Sequence, residues 1–402
     1  MKNPVFIFVI LSACILFTCP ANGTADEYII NFSHEKIPGN ITNALPKNEA
    51  MTFVRNMGIG INIGNSLDAA GWNEWWHAGE TGWGNPEITQ NFVKALKNYG
   101  YKSIRLPVTW KDFMGPAPDY ILGECNYYKG CDKNCPNRME RVQQVVNWIL
   151  SEGMYCIINL HHDGDWIEGI TANEAAVLDK FTKVWKQIAQ KFSGIAQNKL
   201  IFESMNEVGF DNVWNQYGGT TGKDKAYSLM NKLNQAFVNT IRGTPGNENR
   251  FLLIAGYWTN ISHSSDPLFK MPSDKTANRL ILSVHYYEPS TFCIADKPDN
   301  SWGFRNSWGT TADYNYLINQ FNKLRTTFLN KGIPVILGEY GVSLINKVEG
   351  NRVDWMAAVT QICLNYGICP MLWDTSGEIS RSSPFTMRHS LKNVWNIINQ
   401  GE

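Results

Sequence analysis

The sequence lacks a charge of either sign to spare: its 402 residues hold 36 Lys plus Arg against 36 Asp plus Glu, a formal net charge of zero. A chain without a strong field is not built to hold a polyanion, which argues against nucleic acid or an anionic membrane surface as a partner. It also lacks any apolar run of the roughly 20 residues that a membrane span needs; the run from Val5 to Phe17 falls short. No Gly-x-Gly-x-x-Gly follows an apolar segment, so the usual mark of a dinucleotide-binding open sheet is missing. No Pro-, Ser- or Thr-rich linker and no short-period repeat divides the chain, and one catalytic-sized domain is expected. Charged residues make up only 18% against 44% hydrophobic, which excludes disorder as the dominant state.

What is present begins with a targeting pattern. Lys2, the apolar run to Phe17 and the small-residue segment Ala21-Asn22-Gly23 follow the charge, core and cleavage order of a secretory signal, so residues 1–23 are expected to be removed. The protein is expected to be secreted and extracellular, and a monomer. Residues 24–50 are polar and read as an irregular, loosely ordered lead-in, and 51–402 as the folded domain. Secretion permits disulfides. Removing Cys14 and Cys19 from the nine cysteines leaves an odd number. Cys156, inside an apolar strand-like run, is the expected buried free thiol; Cys363 and Cys369 are close enough in sequence to pair. Cys125, Cys131 and Cys135 crowd one loop, where they could pair or hold zinc, although no Cys-x-x-Cys pair or nearby His supports a metal. Asn31, Asn40 and Asn260 open acceptor sequons for N-glycans.

Beyond the lead-in the chain alternates. Short apolar runs rich in β-branched residues occupy 58–63, 102–108, 154–160, 199–205, 251–255, 280–285, 334–337 and 369–373, and amphipathic stretches lie between them. Val93, Leu96 and Tyr99 show helical spacing, as do Val142, Val145, Val146 and Ile149. Asn85-Pro86-Glu87 reads as a helix start, and Gly100, Gly153 and Gly332 as helix stops. Eight strands, each followed by a helix, predict an α/β fold of parallel strands, a single (β/α)₈ TIM barrel, whose usual size of about 200 to over 400 residues suits this chain.

In that architecture the carboxyl ends of the strands build the active site. Those ends carry Arg105, His161-His162-Asp163, Asn206-Glu207, His285-Tyr286-Tyr287, Glu339-Tyr340 and Trp373-Asp374. Two carboxylates at the mouths of strands four and seven, with cationic, imidazole and phenol groups around them, supply an acid and a nucleophile for glycosidic-bond chemistry. Fifteen Trp, 16 Tyr and 19 Phe offer flat faces for sugar rings. Trp72, Trp75, Trp76, Trp110, Trp166, Trp214 and Trp302 are the candidates for the walls of a long cleft. A metal-dependent hydrolase would instead gather His161, His285 and Asp163 around an ion, and a sugar-binding barrel without catalysis would lack one of the two carboxylates.

The ordered set of strand-end residues resembles glycoside hydrolase family five, and within it the endo-β-1,4-glucanase branch of subfamily four. The resemblance is carried by Gly60-Ile61-Asn62-Ile63-Gly64-Asn65-Ser66-Leu67-Asp68, by Glu80-Thr81-Gly82-Trp83-Gly84-Asn85-Pro86 and by Arg105-Leu106-Pro107-Val108. It continues in Leu160-His161-His162-Asp163, Met205-Asn206-Glu207, Val284-His285-Tyr286-Tyr287 and Gly338-Glu339-Tyr340-Gly341. It covers nearly all of the chain after about residue 50 and implies a retaining barrel glycosidase with Glu207 as acid/base and Glu339 as nucleophile. By the same resemblance Arg105 and Tyr287 hold the nucleophile, Asn206 bonds the sugar hydroxyl beside the reacting carbon, and His161 and His285 order the acid/base and the sugar. Trp373 would stack on the sugar just before the cleavage point; Asn65, Asp68, His162 and Trp166 would bind substrate. No metal or cofactor is implied, the expected partner is a β-glucan, and no carbohydrate-binding module or docking domain is recognised in the sequence. Glucan, xyloglucan, mannan and xylan enzymes share this machinery, and a β-1,4-glucan is favoured.

Overall fold

Each of the eight apolar runs is a strand because its residues are buried on both faces, as parallel barrels require. In the computed structural model, which describes residues 28–71, 77–123 and 137–400, the strands are β1 (Gly60–Asn62), β2 (Ser103–Leu106), β3 (Tyr155–Asn159), β4 (Leu200–Glu203), β5 (Leu252–Asn260), β6 (Leu280–Tyr286), β7 (Val335–Tyr340) and β8 (Cys369–Leu372). They pair in sequence order, all parallel, and β1 closes on β8. The protein is a single (β/α)₈ barrel. The expected signal, 1–23, and the loop cysteines Cys125, Cys131 and Cys135 lie outside the described residues, as do Trp72, Trp75 and Trp76.

Inward side chains at the base of the barrel form one cluster with a helix that precedes β1. Ile157, Ile201, Leu253, Ile281, Ile336 and Met371 meet Ala50, Phe53, Val54 and Met57 of the helix Glu49–Met57. Phe53 lies flat on Phe251 with ring centroids 3.7 Å apart. This helix plugs the amino end of the barrel, so the opposite end is the open one. Outward side chains such as Cys156, Ile158 and Phe202 pack under the surrounding helices in the larger core.

Those helices start and stop where local chemistry dictates. Asn137 caps the helix Arg138–Ser151 and Asn173 caps Glu174–Lys191 with side-chain oxygens on backbone N–H groups. Thr310 and Asp313 form a capping box at the head of Thr311–Thr327. Two details depart from expectation. The helix after β1 begins at Gln90 with Thr89 as its cap, because the Asn85 side chain is used elsewhere, donating to the Asn65 carbonyl. Between β5 and β6 only the four-residue turn Ile261–Ser264 is helical; Pro267 and Pro272 remove donors and break the continuation.

The lead-in is irregular but fastened. It contains two short 3₁₀ turns, His34–Lys36 and Thr42–Ala44. Asn31 N–H donates to Asp354, Ile41 N–H to the Asn365 carbonyl and Asn365 Nδ2 to the Pro38 carbonyl. Cys156, Cys293, Cys363 and Cys369 are all buried and free. Pairing of Cys363 with Cys369 is therefore corrected: Cys369 packs inside the barrel, whereas Cys363 packs in the layer between sheet and helices. Burial pushes the Cys369 thiol up to about 12. Among the described residues no helix is long and apolar enough to cross a membrane.

Candidate active site

The barrel register sets a layer of polar side chains just above the apolar plug. Asn62 pairs with Arg105 across β1–β2, and Asn159 with Glu203 across β3–β4. Beyond the strands the ladder continues through His161 N–H to the Val108 carbonyl, Asn206 N–H to Leu160 and Trp373 N–H to Tyr340. The chain thus carries strand-like pairing up to the residues that face the mouth.

Arg105 is the hub. Fully buried, it donates from Nε to Glu203 at 2.7 Å, from one terminal nitrogen to Glu339 at 2.7 Å and to Asn62 at 3.0 Å, and from the other to Asn206 at 2.8 Å. A planar fork with fixed donor directions is what allows one side chain to order four partners. The two carboxylates hold the guanidinium charged against the cost of burial.

Glu339 receives a second donor, the Tyr287 hydroxyl at 3.0 Å. Burial lifts the Glu339 carboxyl above the ordinary glutamate range, His285 and Arg105 pull it back, and the neighbouring Glu207 adds to the lift. Tyr287 is kept as a neutral phenol, because burial and then the charges of Glu339 and Glu207 push its own pKa far up. His285 Nδ1 lies 2.8 Å from Glu207 and 3.6 Å from Glu339. Oxygens of Glu207 and Glu339 come within 4.8 Å of each other. The two differ in access: the Glu207 side chain is 28% exposed and that of Glu339 only 4%.

Next to this pair, Trp373 is half-buried and its indole runs parallel to the His161 ring, 6° between planes and 5.6 Å between centroids. Gly64 makes room for it, since a Cβ there would fall 2.7 Å from the indole. His161 touches His162 edge-on, and His162 is tilted against Trp83. Burial drives His161 well below the usual histidine range and His162 down to about 3, so both rings are neutral. Asp68 is buried and spends its two oxygens on the N–H groups of Asn65 and Ser66, which holds Asn65 in a left-handed turn (φ 54°). Burial raises its carboxyl to about 6.

Arg105, His161, His162, Asn206, His285, Tyr287, Glu207, Glu339, Asn65, Asp68 and Trp373 all sit at the barrel mouth. Trp166 is half-buried, its N–H on Asp163 and one face under Lys180. Two proposed wall residues are core instead. Both are buried: Trp110 donates to the Asn159 carbonyl, and Trp214 packs on Tyr227 and Tyr257 and donates to the Gly219 carbonyl. Trp302 is 40% exposed.

His161, His285 and Asp163 do not gather around a common point, as Asp163 is committed to Trp110 N–H and Trp166. Among the described residues, potential ligand atoms do gather in two other groups, Glu207 with His285 and Glu339, and Asp68 with His161 and His162. Sequence reasoning missed Glu203, Asn159 and Asn62, which support the site from below. It also missed Trp258, whose backbone N–H bonds the Val208 carbonyl beside Glu207. That indole lies so close over Gly209 that a Cβ there would sit 2.1 Å from its nitrogen. The Glu in Phe202-Glu203-Ser204, a charge inside an apolar strand, is the one signal that was legible.

The model of the cellulase family, glycosyl hydrolase family 5, matches residues 67–378. The chain belongs to glycoside hydrolase family 5. Endoglucanase A of Paenibacillus barcinonensis is 33% identical over 88% of this chain and 90% of that protein. Among solved structures, a broad-specificity endoglucanase from an uncultured bovine rumen ciliate matches with TM-score 0.74 and 32% identity over 88% of this chain and 99% of that one. A family 5 lichenase from Caldicellulosiruptor matches with TM-score 0.77 and 28% identity, over 89% and 96%. The protein is an endo-β-1,4-glucanase of this family, and the Arg105 hub, the carboxylate pair and the stacked Trp373 and His161 form its mouth.

Proposed function

We propose that this glucanase is a secreted, retaining enzyme that cuts internal β-1,4 bonds of soluble or amorphous glucans, including mixed-linkage β-glucan, with Glu339 as nucleophile and Glu207 as acid/base. The observation that carries retention is the approach of the two carboxylates within 4.8 Å. Double displacement needs carboxyl groups about 5–5.5 Å apart, whereas direct attack by water needs about 6.5–9.5 Å.

Roles follow from surroundings. Arg105 and Tyr287 both donate to Glu339, which favours its ionised form, and its burial keeps water away. Glu207 is open to the cleft, as a group must be that serves first the leaving group and then water. In the first step the Glu339 oxygen bonds to the anomeric carbon, the glycosidic bond breaks and the Glu207 proton goes to the departing oxygen. In the second, Glu207 takes a proton from water, water bonds to the same carbon and Glu339 leaves. Asn206, whose Oδ1 is held by Arg105, keeps its Nδ2 for the neighbouring sugar hydroxyl. Trp373 faces the sugar before the cut, and Trp258, beside Glu207, lies on the leaving-group side. No step calls for a metal or cofactor.

Secretion is supported by the order of charge, apolar core and small residues in 1–23 and suits a polymer substrate. The likeness to a lichenase and to a broad-specificity endoglucanase supports β-glucan as substrate. The test is hydrolysis of barley β-glucan, carboxymethyl cellulose, xyloglucan, mannan and xylan with chelator present, following the anomer of the fresh product. Retained β-anomer from β-glucan is expected, with Glu339→Gln slower by on the order of a thousandfold or more. Inverted product, full activity in the variant, or inhibition by chelator would refute the mechanism.

A further inference from the structure

Asn159 closes β3 directly beneath the sugar platform, and its carboxamide has only one orientation that works. Its Oδ1 accepts from Val108 N–H at 3.1 Å. Its Nδ2 reaches two acceptors, Glu203 Oε2 at 3.0 Å and His161 Nδ1 at 3.2 Å. Turning the amide over would set two donors against each other at Val108 and two oxygens against each other at Glu203. Glu203 has no freedom to relieve that, since Arg105 holds it at 2.7 Å and Ser283 at 2.6 Å. Both amide hydrogens are therefore directed outward, one of them at His161 Nδ1, which must offer a lone pair.

We propose that Asn159 is a positioning residue for the glucanase reaction: by donating to His161 Nδ1 it fixes the ring hydrogen on Nε2, making His161 a hydrogen-bond donor to the sugar on the Trp373 platform. The proposal rests on the glucanase reading for its substrate, while the tautomer itself does not. The neutrality of the buried ring agrees with it, since an imidazolium would carry hydrogens on both nitrogens and meet the Asn159 amide donor to donor. The stacking of His161 on Trp373 leaves the ring plane fixed, so the position of one hydrogen decides what the site presents. The same hydrogen bears on the neighbouring group of Asp68, His161 and His162. With Nδ1 occupied by Asn159 and Nε2 carrying hydrogen, His161 has no open lone pair, and the group is held for sugar hydroxyls instead of a cation.

The test is nitrogen NMR of the full enzyme labelled at its seven histidines, with His161→Gln used to assign the resonances. The wild type should show a pyridine-like Nδ1 and a pyrrole-like Nε2 for His161. Asn159→Ala should give a mixture of the two tautomers, and Asn159→Asp should move the hydrogen to Nδ1 and lower kcat/KM on β-glucan by about tenfold, the worth of one substrate hydrogen bond. Where Asn159→Asp does not fold, Asn159→Ala carries the comparison. Cellotriose added to Glu339→Gln should shift the His161 Nε2 resonance. A hydrogen on Nδ1 in the wild type, an unchanged tautomer in Asn159→Ala, or a His161 resonance indifferent to cellotriose would overturn the proposal. A wild type with the expected tautomer but no cleavage of any β-glucan would leave the assignment of Asn159 standing and overturn the glucanase reading instead.

Discussion

Arg105 shows how much one side chain decides. Replacing it by lysine keeps a positive charge but gives up the fork that reaches Glu203, Glu339, Asn62 and Asn206 together. Arg105→Lys should lower kcat/KM by on the order of a hundredfold and cost about 3 kcal/mol of stability, since buried partners are left unpaired. Steady-state kinetics and urea unfolding of the same preparation check both. Tyr287→Phe removes a donor from the ionised form of Glu339, so the folded-state pKa of Glu339 should rise. With Glu339 as the proposed nucleophile, activity depends on its carboxylate and should be lost as pH falls through that pKa. The acid limb of kcat/KM is expected above the ordinary glutamate value in the wild type, because burial lifts Glu339, and should move further up in the variant, which a pH profile of both enzymes checks. The alkaline limb serves as the internal control. At this scale the sequence revealed the residues that end strands, because a polar group closing an apolar run stands out. Asn159 was less visible, since it lies within the strand period, and Glu203 was marked only by its charge inside an apolar run, which does not tell an inward-facing residue from an outward one.

Among the elements, the eight strands were legible because parallel barrel strands are buried on both sides and read as unbroken apolar runs. The missing helix after β5 was not, since Ile261 and the serines after it imitate a helix start before Pro267 and Pro272 stop it. The Asn85 signal misled for a similar reason: a residue suited to capping was recruited to hold the loop of Asn65. The helix Glu49–Met57 makes a prediction of its own. Phe53 fills the amino end of the barrel against Phe251, remote from the mouth. Phe53→Ala should lower stability by about 3–5 kcal/mol while kcat per folded molecule stays within a factor of two or so. Calorimetry alongside active-site titration separates the two effects.

For the whole molecule, the barrel places every strand end on one face and plugs the other, so substrate can approach from one side only. A polymer lying across that face is cut wherever it settles. Viscosity of a β-glucan solution should therefore fall much faster than reducing ends accumulate, and turnover on amorphous glucan should exceed that on crystalline cellulose. Parallel loss of viscosity and release of short sugars, or faster turnover on the crystalline form, would contradict this. The fold class was readable from alternation alone, but the extent of the cleft was not. Tryptophan is core at Trp110, held by Asp163 at Trp166 and stacked on His161 at Trp373, where the proposed mechanism uses it as a platform, and only packing distinguishes them.

The pairing of Arg105 with two carboxylates has a consequence for the course of a double displacement. In the proposed double displacement Glu339 loses its charge when it is esterified to the sugar, and a guanidinium matched to it alone would then be left stranded in a dry interior. Glu203, fully buried, 2.7 Å from Arg105 and held also by the Ser283 hydroxyl, has no part in the proposed chemistry. Arg105 thus has a permanent counter-ion in Glu203 and an intermittent one in Glu339. On the proposed mechanism the covalent intermediate would be spared an electrostatic penalty, with the arginine still in place when the nucleophile returns.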